Sequence, residues 1–289
     1  MNLLGEKKMM DEKTLKSAEV LFELAYAEDI GDGDITTNNL VPPDTSKTAV
    51  LVAKEEGVVA GLPVAEMVFK KFDKNIEWKV LQPDGSKVKQ GDVIVEFKGN
   101  YRALLTGERK ALNFLQRLSG IATYANKCMN EIKGHNVEIL DTRKTLPGYR
   151  YLDKYAVRMG GASNHRFGLY DMVMIKDNHI QVAGSIKQAV QAIRAKIPKS
   201  IKIEVETTNL EQVQEALQSD VDIIMLDNMS SKLMKKAVDL INGRAKIEAS
   251  GNMTLKRIRK VAATGVNYIS IGALTHSVKA LDITMRIIN

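Results

Sequence analysis

The chain of 289 residues is 44% hydrophobic and 27% charged, which is typical of a soluble globular protein with room for one large α/β domain and a smaller one. No apolar run is long enough for a membrane-spanning helix, and residues 1–6 do not resemble the start of a signal peptide. Cys128 is the only cysteine, so an internal disulfide is excluded. We therefore expect a cytoplasmic protein with no membrane partner.

The formal net charge of +7 leaves two kinds of anionic partner open, nucleic acid and small anionic substrates. Aromatic residues make up only 5% and are not interleaved with basic runs, which disfavours a platform for single-stranded nucleic acid. The stretch 142–170 holds one acid, Asp153, against Arg143, Lys144, Arg150, Lys154, Arg158 and Arg166. The turn residues and apolar strand patterns around it favour a pocket over a solvated face, so we predict no nucleic-acid partner.

The first half of the chain has the pattern of a small α+β domain with an antiparallel sheet. Apolar residues at helical spacing predict helices over 14–28 and 63–72. Short β-patterned segments with intervening turns predict strands within 48–60, over 78–81 and over 93–97. No catalytic cluster is evident in this half.

Two other features of the first half concern charge. The acidic stretch 28–37 lacks the glycine and the final glutamate of an EF-hand loop, which favours a structural turn over a metal site. A long helix is predicted over 106–133, with Arg109 near its start. A cation there opposes the helix dipole by up to ~1 kcal/mol. This suggests an external anionic partner for Arg109, although a solvent-facing arginine explains the sequence equally well.

After residue 135, short apolar strands recur every 20 to 35 residues or so, usually with helical segments between them. They are 137–140, 172–175, 201–205, 221–226, 245–249 and 268–271. Repeated strand and helix predict a parallel sheet, and six units are too few for a complete eight-unit barrel of ~250 residues. We therefore predict an open or incomplete β/α barrel over 135–289 that carries the active site. The N-terminal domain is placed at 1–134, and a last helix is expected to pack back on it.

Polar residues follow every one of these strands, at the edge where a barrel holds its active site. They are Asp141-Thr142-Arg143-Lys144, Lys176-Asp177-Asn178-His179, Glu206-Thr207-Thr208, Asp227-Asn228, Ser250-Gly251-Asn252 and Gly272. A single such residue is usually a loop residue or a helix cap. Six successive strand ends, bearing cations in some cases and carboxylates in others, instead predict one shared site.

The residue types indicate the chemistry of that site. Arg143, Lys144, His165, Arg166 and Lys176 form a cationic set suited to carboxylates or phosphates. Glu206 and Asp227 are hard oxygen ligands of the kind that hold Mg²⁺. The glycines of Ser250-Gly251-Asn252 and Ser270-Ile271-Gly272 allow backbone N–H groups to approach a phosphate. Nucleophile–base pairs, Cys/His metal clusters, Walker loops and dinucleotide fingerprints are not apparent.

Several segments together resemble the quinolinate phosphoribosyltransferase family, from about Leu21 to the C-terminus. The helix segment 107–123 is similar to the signature helix of that family, with the sequence GERKALNFLQRLSGIAT. The other matching segments, in order, are DTRKTLPG at 141–148, GGASNHR at 160–166, KDNH at 176–179, EVE at 204–206, LDN at 226–228 and EASG at 248–251.

The resemblance implies a fold, an activity and an assembly. The fold is an N-terminal α/β sandwich with an open C-terminal α/β barrel. In the implied reaction, quinolinate and phosphoribosyl pyrophosphate give nicotinate mononucleotide, pyrophosphate and CO₂ with Mg²⁺, in de novo NAD biosynthesis. The implied assembly is a homodimer, or a larger assembly of dimers, in which Arg109 reaches the neighbouring active site.

The resemblance also implies roles for individual residues. The quinolinate carboxylates are bound by Arg109, Arg143, His165, Arg166 and Lys176. Lys144 lies near the phosphates of the donor, with Thr142 beside it in the substrate site. Glu206 and Asp227 hold Mg²⁺, and we predict that they act in catalysis together with Lys144 and Lys176. The 5-phosphate is bound by Ser250, Gly251, Asn252 and Gly272. We also predict Ser270 and Ile271 to be substrate-binding residues.

Three alternatives are weighed against this reading. A paralogue with a different acceptor, such as the family member associated with molybdate transport genes, shares the barrel, and the full cationic set favours quinolinate over it. Nicotinate phosphoribosyltransferase is disfavoured because its acceptor carries a single carboxylate. A basic nucleic-acid-binding protein would fit the pI of about 9.2, but the cations are predicted to converge on strand ends and not to form a stripe.

Overall fold

The computed structural model describes residues 10–288, so residues 1–6, where no signal peptide is expected, lie outside it. The chain divides into two compact units that are not continuous in sequence. The first comprises the chain up to Asn126, Thr145–Gly161 and the chain from Leu274 onward. The second comprises Lys127–Lys144 and Ala162–Ala273. No helix within residues 10–288 is long and apolar enough to cross a membrane.

The first unit is built on a four-stranded antiparallel sheet in the order β12-β1-β5-β3. Its strands are β1 (Ser46–Ala53), β3 (Glu77–Val80), β5 (Val93–Asn100) and β12 (Ile283–Ile288), and β2 (Gly57–Val58) pairs separately with β4 (Lys87–Val88). The helices in chain order are α1 (Glu12–Asp29), α2 (Ile35–Leu40), α3 (Leu62–Phe72), α4 (Tyr101–Glu131) and α5 (Arg150–Met159).

An aromatic cluster joins α3 to the sheet of the first unit. Phe69 of α3 is fully buried, and its ring centroid lies 4.7 Å from that of Phe97 on β5 and 5.9 Å from that of Trp78 on β3. Large aromatic rings bury much area in such tilted contacts. This layer of helix on sheet confirms the predicted α/β sandwich.

Side-chain caps account for two features that the sequence suggested only in part. The acidic stretch is structural as predicted, because Asp34 accepts a hydrogen bond from Thr37 N at 2.8 Å and thereby caps α2. The long helix begins at Tyr101 and not at Thr106, since Asn100 Oδ1 accepts from Arg102 N at 2.9 Å. A lone asparagine at the end of a strand is a weak start signal, so the periodic pattern alone places the start too late.

The last helix of the described residues is short (Ala273–His276), and its residues from Leu274 onward belong to the first unit, but the chain then continues as a strand. The final described segment is β12, which pairs antiparallel with β1 from Thr48↔Ile288 to Ala53↔Ile283. Ile283 and Met285 are buried and Arg286 is exposed, so this segment has the two-residue alternation of a half-buried strand. The segment does join the first unit, but as an edge strand of its sheet.

The second unit contains the six predicted parallel strands in the order β6-β11-β10-β9-β8-β7. They are β6 (Glu138–Leu140), β7 (Val173–Ile175), β8 (Ile203–Thr207), β9 (Ile223–Asp227), β10 (Lys246–Ser250) and β11 (Tyr268–Ser270). The helices between them are α6 (Asp177–Ala183), α7 (Ile186–Arg194), α8 (Leu210–Leu217), α9 (Ser231–Ile241) and α10 (Leu255–Ala262).

The strand order of the second unit explains why its barrel is open. The strands are neighbours in cyclic order, but β6 and β7 stand at the two ends of the sheet and do not pair with each other within the described residues. Between them the chain contributes Thr145–Gly161 to the first unit. The central strands β8 and β9 are buried along most of their length, as expected for parallel strands covered on both faces. This confirms the predicted open α/β barrel.

Candidate active site

Parallel strands bring their carboxyl ends to one edge, and the predicted site residues of the second unit follow those ends. Lys176 follows β7, Glu206 lies near the end of β8, and Asp227 and Ser250 are the last residues of β9 and β10. Arg143 and Lys144 are exposed after β6. Arg109 is exposed on α4 and belongs to the first unit.

The basic stretch 142–170 is divided between the two units. Arg143, Lys144 and Arg166 belong to the barrel unit, whereas Arg150, Lys154 and Arg158 lie on α5 in the first unit. The single acid of the stretch, Asp153, is fully buried and pairs with Arg117 at 2.9 Å. Only half of the basic residues are therefore in the unit that carries the strand-end site.

Two guanidinium groups of the barrel unit influence each other. Partial burial, and next the charge of Arg143, lower the pKa of Arg166, while Glu204 and Asp171 oppose the shift. Arg166 Nη1 donates to the carbonyl of Met172 at 2.9 Å, which directs the side chain. Like charges held near each other are unfavourable unless an anion lies between them, so this pair fits a carboxylate-binding role.

Lys176 and Glu206 connect the ends of β7 and β8. Lys176 Nζ donates to Glu206 Oε2 at 2.6 Å, and the side chains are 45% and 17% exposed. The backbone at Lys176 is held by a contact of 3.0 Å from its N–H to His179 Nδ1. The cation and the carboxylate predicted for two different ligands are therefore direct partners.

The loops after β9 and β10 form a compact glycine and asparagine structure. Asn228, Gly251 and Asn252 all have positive φ, at 54°, 89° and 51°. A Cβ on Gly251 would overlap Asn228 Oδ1, so the close approach of the two loops requires glycine there. Asn252 Nδ2 donates to Asn228 Oδ1 at 3.1 Å, which joins the loops side chain to side chain.

Arg257, on α10, holds both of these loops through hydrogen bonds to their backbone. Its Nη1 donates to the carbonyl of Gly251 at 2.7 Å, and its Nη2 donates to the carbonyl of Met229 at 2.7 Å. Arg257 was not predicted from the sequence, because an arginine two residues after the start of a helix gives no signal of its own. Asn228 was predicted among the strand-end residues, but without a role.

The end of β11 is more enclosed than the other strand ends. Ser270 is 4% exposed, and its hydroxyl makes no hydrogen bond within residues 10–288. The N–H of Ile271 donates to the carbonyl of Leu140 at 2.9 Å, so the sheet already uses this donor. Thr142 Oγ1, after β6, accepts from Lys144 N at 3.1 Å and shapes that loop.

His165 lies in the barrel interior with two glutamates that the sequence analysis did not include. Its Nε2 lies 3.1 Å from Glu204 Oε2 and 3.3 Å from Glu248 Oε2, and both glutamates are fully buried. Within residues 10–288 this is the one group of three or more His, Cys, Asp or Glu side chains with the spacing of metal ligands. Strand alternation could have pointed to Glu204, because it shares a face with Glu206 two residues later.

The pKa values of the buried Glu204 carboxyl and of the His165 ring are both raised. Burial raises the pKa of Glu204 to about 7. Burial also disfavours the charged His165 ring, but the contacts with Glu204 and Glu248 outweigh it and raise the pKa of the ring to about 10. Arg166 N donates to Nδ1 at 2.7 Å, and this contact opposes protonation of Nδ1, so it favours a ring whose hydrogen is on Nε2 and faces the carboxylates.

Comparison with known proteins identifies the relatives of this chain. Family models described as quinolinate phosphoribosyl transferase match residues 34–119 with the N-terminal domain and residues 121–286 with the C-terminal domain. A Synechocystis protein named probable nicotinate-nucleotide pyrophosphorylase [carboxylating] is 49% identical over 265 residues, which cover 91% of this chain and 90% of that protein.

Solved structures extend this similarity to the whole fold. NadC from Streptococcus pyogenes is 40% identical with a TM-score of 0.92, covering 97% of this chain and 100% of that one. The nicotinate-nucleotide pyrophosphorylase from Francisella tularensis is 42% identical with a TM-score of 0.91, covering 94% of this chain and 96% of that one.

Proposed function

Because the chain belongs to the quinolinate phosphoribosyl transferase family, we propose that it transfers the phosphoribosyl group of phosphoribosyl pyrophosphate to quinolinate. The products are nicotinate mononucleotide, pyrophosphate and CO₂, in the formation of NAD. The observation that carries this proposal is the set of cations and carboxylates at the ends of adjacent parallel strands, with Lys176 against Glu206 at its centre. A polyanionic acceptor and a metal-bound polyanionic donor need both kinds of group.

The acceptor is a dianion, and burying it requires fixed cations. Arg143 and Arg166 supply two guanidinium groups in mutual range, and Lys176 supplies an ammonium group. Each charge-assisted hydrogen bond contributes about 1.5–3 kcal/mol. Arg109 is proposed to add a further cation from the neighbouring subunit of a homodimer, since the described contacts leave its side chain exposed.

The donor phosphates are proposed to bind at the other strand ends. Ser250, Gly251 and Asn252 lie in a loop in which Gly251 and Asn252 have positive φ, and backbone of this kind is common in phosphate sites. The Ser270 hydroxyl, buried without a hydrogen-bond partner in the described residues, fits the same ligand. Lys144, exposed after β6, is placed to approach the pyrophosphate.

Glu206 and Asp227 fit a magnesium ion by their chemistry and position. Both are carboxylates, both are partly exposed, and they lie near the ends of the adjacent strands β8 and β9. Mg²⁺ prefers one or two carboxylates and completes its shell with water and phosphate oxygens. When bound with the donor, the ion would neutralise charge on the pyrophosphate as it departs.

In the proposed reaction the ring nitrogen of quinolinate attacks C1 of the ribose as the bond to pyrophosphate breaks. The protein's part is to align the two substrates and to stabilise charge, which Arg143, Arg166 and Lys176 do at the acceptor and Lys144 does at the donor. The bond to the 2-carboxylate then breaks and CO₂ leaves. The cationic ring nitrogen stabilises the electron pair left at C2, which takes up a proton.

The test is an assay of purified protein with phosphoribosyl pyrophosphate and Mg²⁺, with quinolinate in one tube and nicotinate in another. We expect nicotinate mononucleotide and CO₂ from quinolinate alone, and loss of turnover when the metal is chelated. Failure with both acceptors, in folded protein that still binds the donor, would move the acceptor to that of a paralogue. We also propose a cytoplasmic location, because Cys128 is a single, buried, free thiol.

A further inference from the structure

Two glutamates inside the barrel take no part in the chemistry proposed above. Glu204 on β8 and Glu248 on β10 are both fully buried. Within residues 10–288 no well-directed hydrogen bond reaches any of their four carboxylate oxygens. Carboxylates are rarely buried without a compensating partner, because removing their charge from water is unfavourable. Their partner and their role therefore need an explanation.

The partner is the ring of His165. Its side chain is 5% exposed, and Nε2 lies between the two carboxylates at 3.1 and 3.3 Å, pointing directly at neither. The opposite nitrogen, Nδ1, lies 2.7 Å from the backbone nitrogen of Arg166. Protein groups therefore lie within hydrogen-bonding distance of both ring nitrogens, so the ring connects the barrel interior to the loop that precedes β7.

The same loop is held from a second direction by Asp141, directly after β6. Its carboxylate accepts from Asn164 Nδ2 at 2.6 Å and from His165 N at 2.9 Å. Asp141 is fully buried as well. Three buried carboxylates thus hold segment 164–166. This segment ends with Arg166, which supplies one of the proposed acceptor-binding guanidinium groups.

We propose that Glu204 and Glu248 are positioning residues that fix the His165 ring and, through it, the loop that presents Arg166 to the acceptor. The proposal rests on the proposed function for its kinetic consequence, but its structural part stands without it. The two glutamates act through His165 and do not contact either substrate. A site held in this way loses affinity when the supporting groups change, although its own residues remain.

The kinetic test compares Glu204→Gln and Glu248→Gln with Glu138→Gln. Glu138 is a matched control because it lies on β6 and accepts from Ser163 of the same loop at 2.9 Å, but is exposed. We expect each interior variant to raise the KM for quinolinate by about tenfold to a hundredfold, the loss typical of a misplacement of about 1 Å. In these interior variants the KM for the donor should change less than about twofold, and so should the KM for quinolinate in the control variant. Equal losses for both substrates would overturn the proposal, since they indicate general damage to the barrel.

A second measurement does not depend on turnover. Nitrogen NMR of the four histidines reports ring protonation and exchange, with exposed His135 as an internal reference. We expect one fixed ring state for His165 in the wild type and an exchanging ring in the double variant Glu204→Gln/Glu248→Gln. A wild-type His165 ring that exchanges like that of His135 would overturn the proposal, even if the enzyme turns over quinolinate.

The same three side chains could instead hold a metal ion, because their ligand atoms all lie within 4.8 Å of one another. Elemental analysis of the purified protein and titration with Zn²⁺ and Mn²⁺ separate the two readings. If the glutamates only position the ring, the wild-type protein should contain no stoichiometric metal ion, and Glu248→Gln should not change its metal content. Tight binding of one ion, abolished by either glutamine variant, would replace the positioning role by a metal site.

Discussion

Lys176 Nζ and Glu206 Oε2 are 2.6 Å apart, so the proposed acceptor-binding cation and the proposed metal-binding carboxylate are hydrogen-bonded to each other. If Glu206 holds Mg²⁺ as proposed, the ion would compete with Lys176 for this carboxylate. The ammonium group would then be available to the acceptor. The donor–metal complex and the acceptor should therefore assist each other's binding through this pair.

Lys176→Met should tighten the binding of a divalent ion while it abolishes turnover of quinolinate. A partly exposed ion pair contributes up to about 1 kcal/mol, so Mn²⁺ should bind up to roughly fivefold more tightly without the competing ammonium group. Titration with Mn²⁺ followed by electron paramagnetic resonance measures this. Lys235→Met, which breaks the exposed pair with Asp239 at 2.9 Å, is the control and should leave Mn²⁺ affinity unchanged. Unchanged affinity in Lys176→Met would contradict the competition.

Gly251→Ala should weaken donor binding, because the new Cβ overlaps Asn228 Oδ1 and separates the loops after β9 and β10. Gly243→Ala is the matched control: Gly243 also has positive φ, at 75°, but a Cβ there meets nothing within 4 Å. Backbone strain alone costs each variant about 1–2 kcal/mol of folding stability. Only Gly251→Ala should also raise the KM for phosphoribosyl pyrophosphate. Equal KM values in the two variants would show that loop approach does not matter for the donor.

Arg257→Ala should disorder the loops after β9 and β10, since Arg257 donates to the carbonyls of Gly251 and Met229. We expect the KM for the donor to rise by about tenfold, within the range that misplaced binding groups produce. Arg259→Ala, on the same helix, removes an exposed side chain paired with Glu131 at 3.5 Å and should behave like the wild type. Isothermal titration with the donor and steady-state kinetics check both variants. A larger effect on quinolinate than on the donor would count against this role.

Arg109→Ala and Lys176→Ala should each be inactive alone and should recover activity when mixed, if Arg109 serves the neighbouring subunit's site. Random exchange of two inactive protomers yields mixed dimers in which one of the two sites is intact, so recovery should approach about a quarter of wild-type activity. Differently tagged subunits verify that mixed dimers form. Absence of activity in verified mixed dimers would reject a shared site.

Candidate site residues could be predicted from the sequence where they lie directly beside a recognisable strand. Lys176, Glu206 and Asp227 directly follow or end apolar runs, so the topology of parallel strands places them at one edge. The His165 cluster was missed because it depends on which face of β8 and β10 points inward and on contacts across more than one strand. Arg257 was missed for a related reason: its function is to donate to backbone carbonyls, which have no signature in the sequence.

The division of the chain was the hardest part to predict. Residues 145–161 follow a strand end of the barrel, so local pattern assigns them to that domain, yet their helix α5 belongs to the first unit. Tyr155 of this helix is buried and donates to Asp84 Oδ2 at 2.6 Å, a contact that spans 71 residues of sequence. Such long-range packing cannot be read from periodicity. The six barrel strands, in contrast, were predicted correctly because each is a short apolar run with turn residues around it.

The pairing of β1 with β12 affects the order in which the newly synthesised chain can fold. On the ribosome, β1 emerges early, but its antiparallel neighbour β12 is synthesised only after every strand of the barrel. The barrel unit can thus complete its contacts while the earlier-made sheet still has an unpaired edge, which is a site for association with other chains. The first unit to be translated should therefore be the last to mature, and chaperones that shield exposed strand edges should act on it until β12 is released.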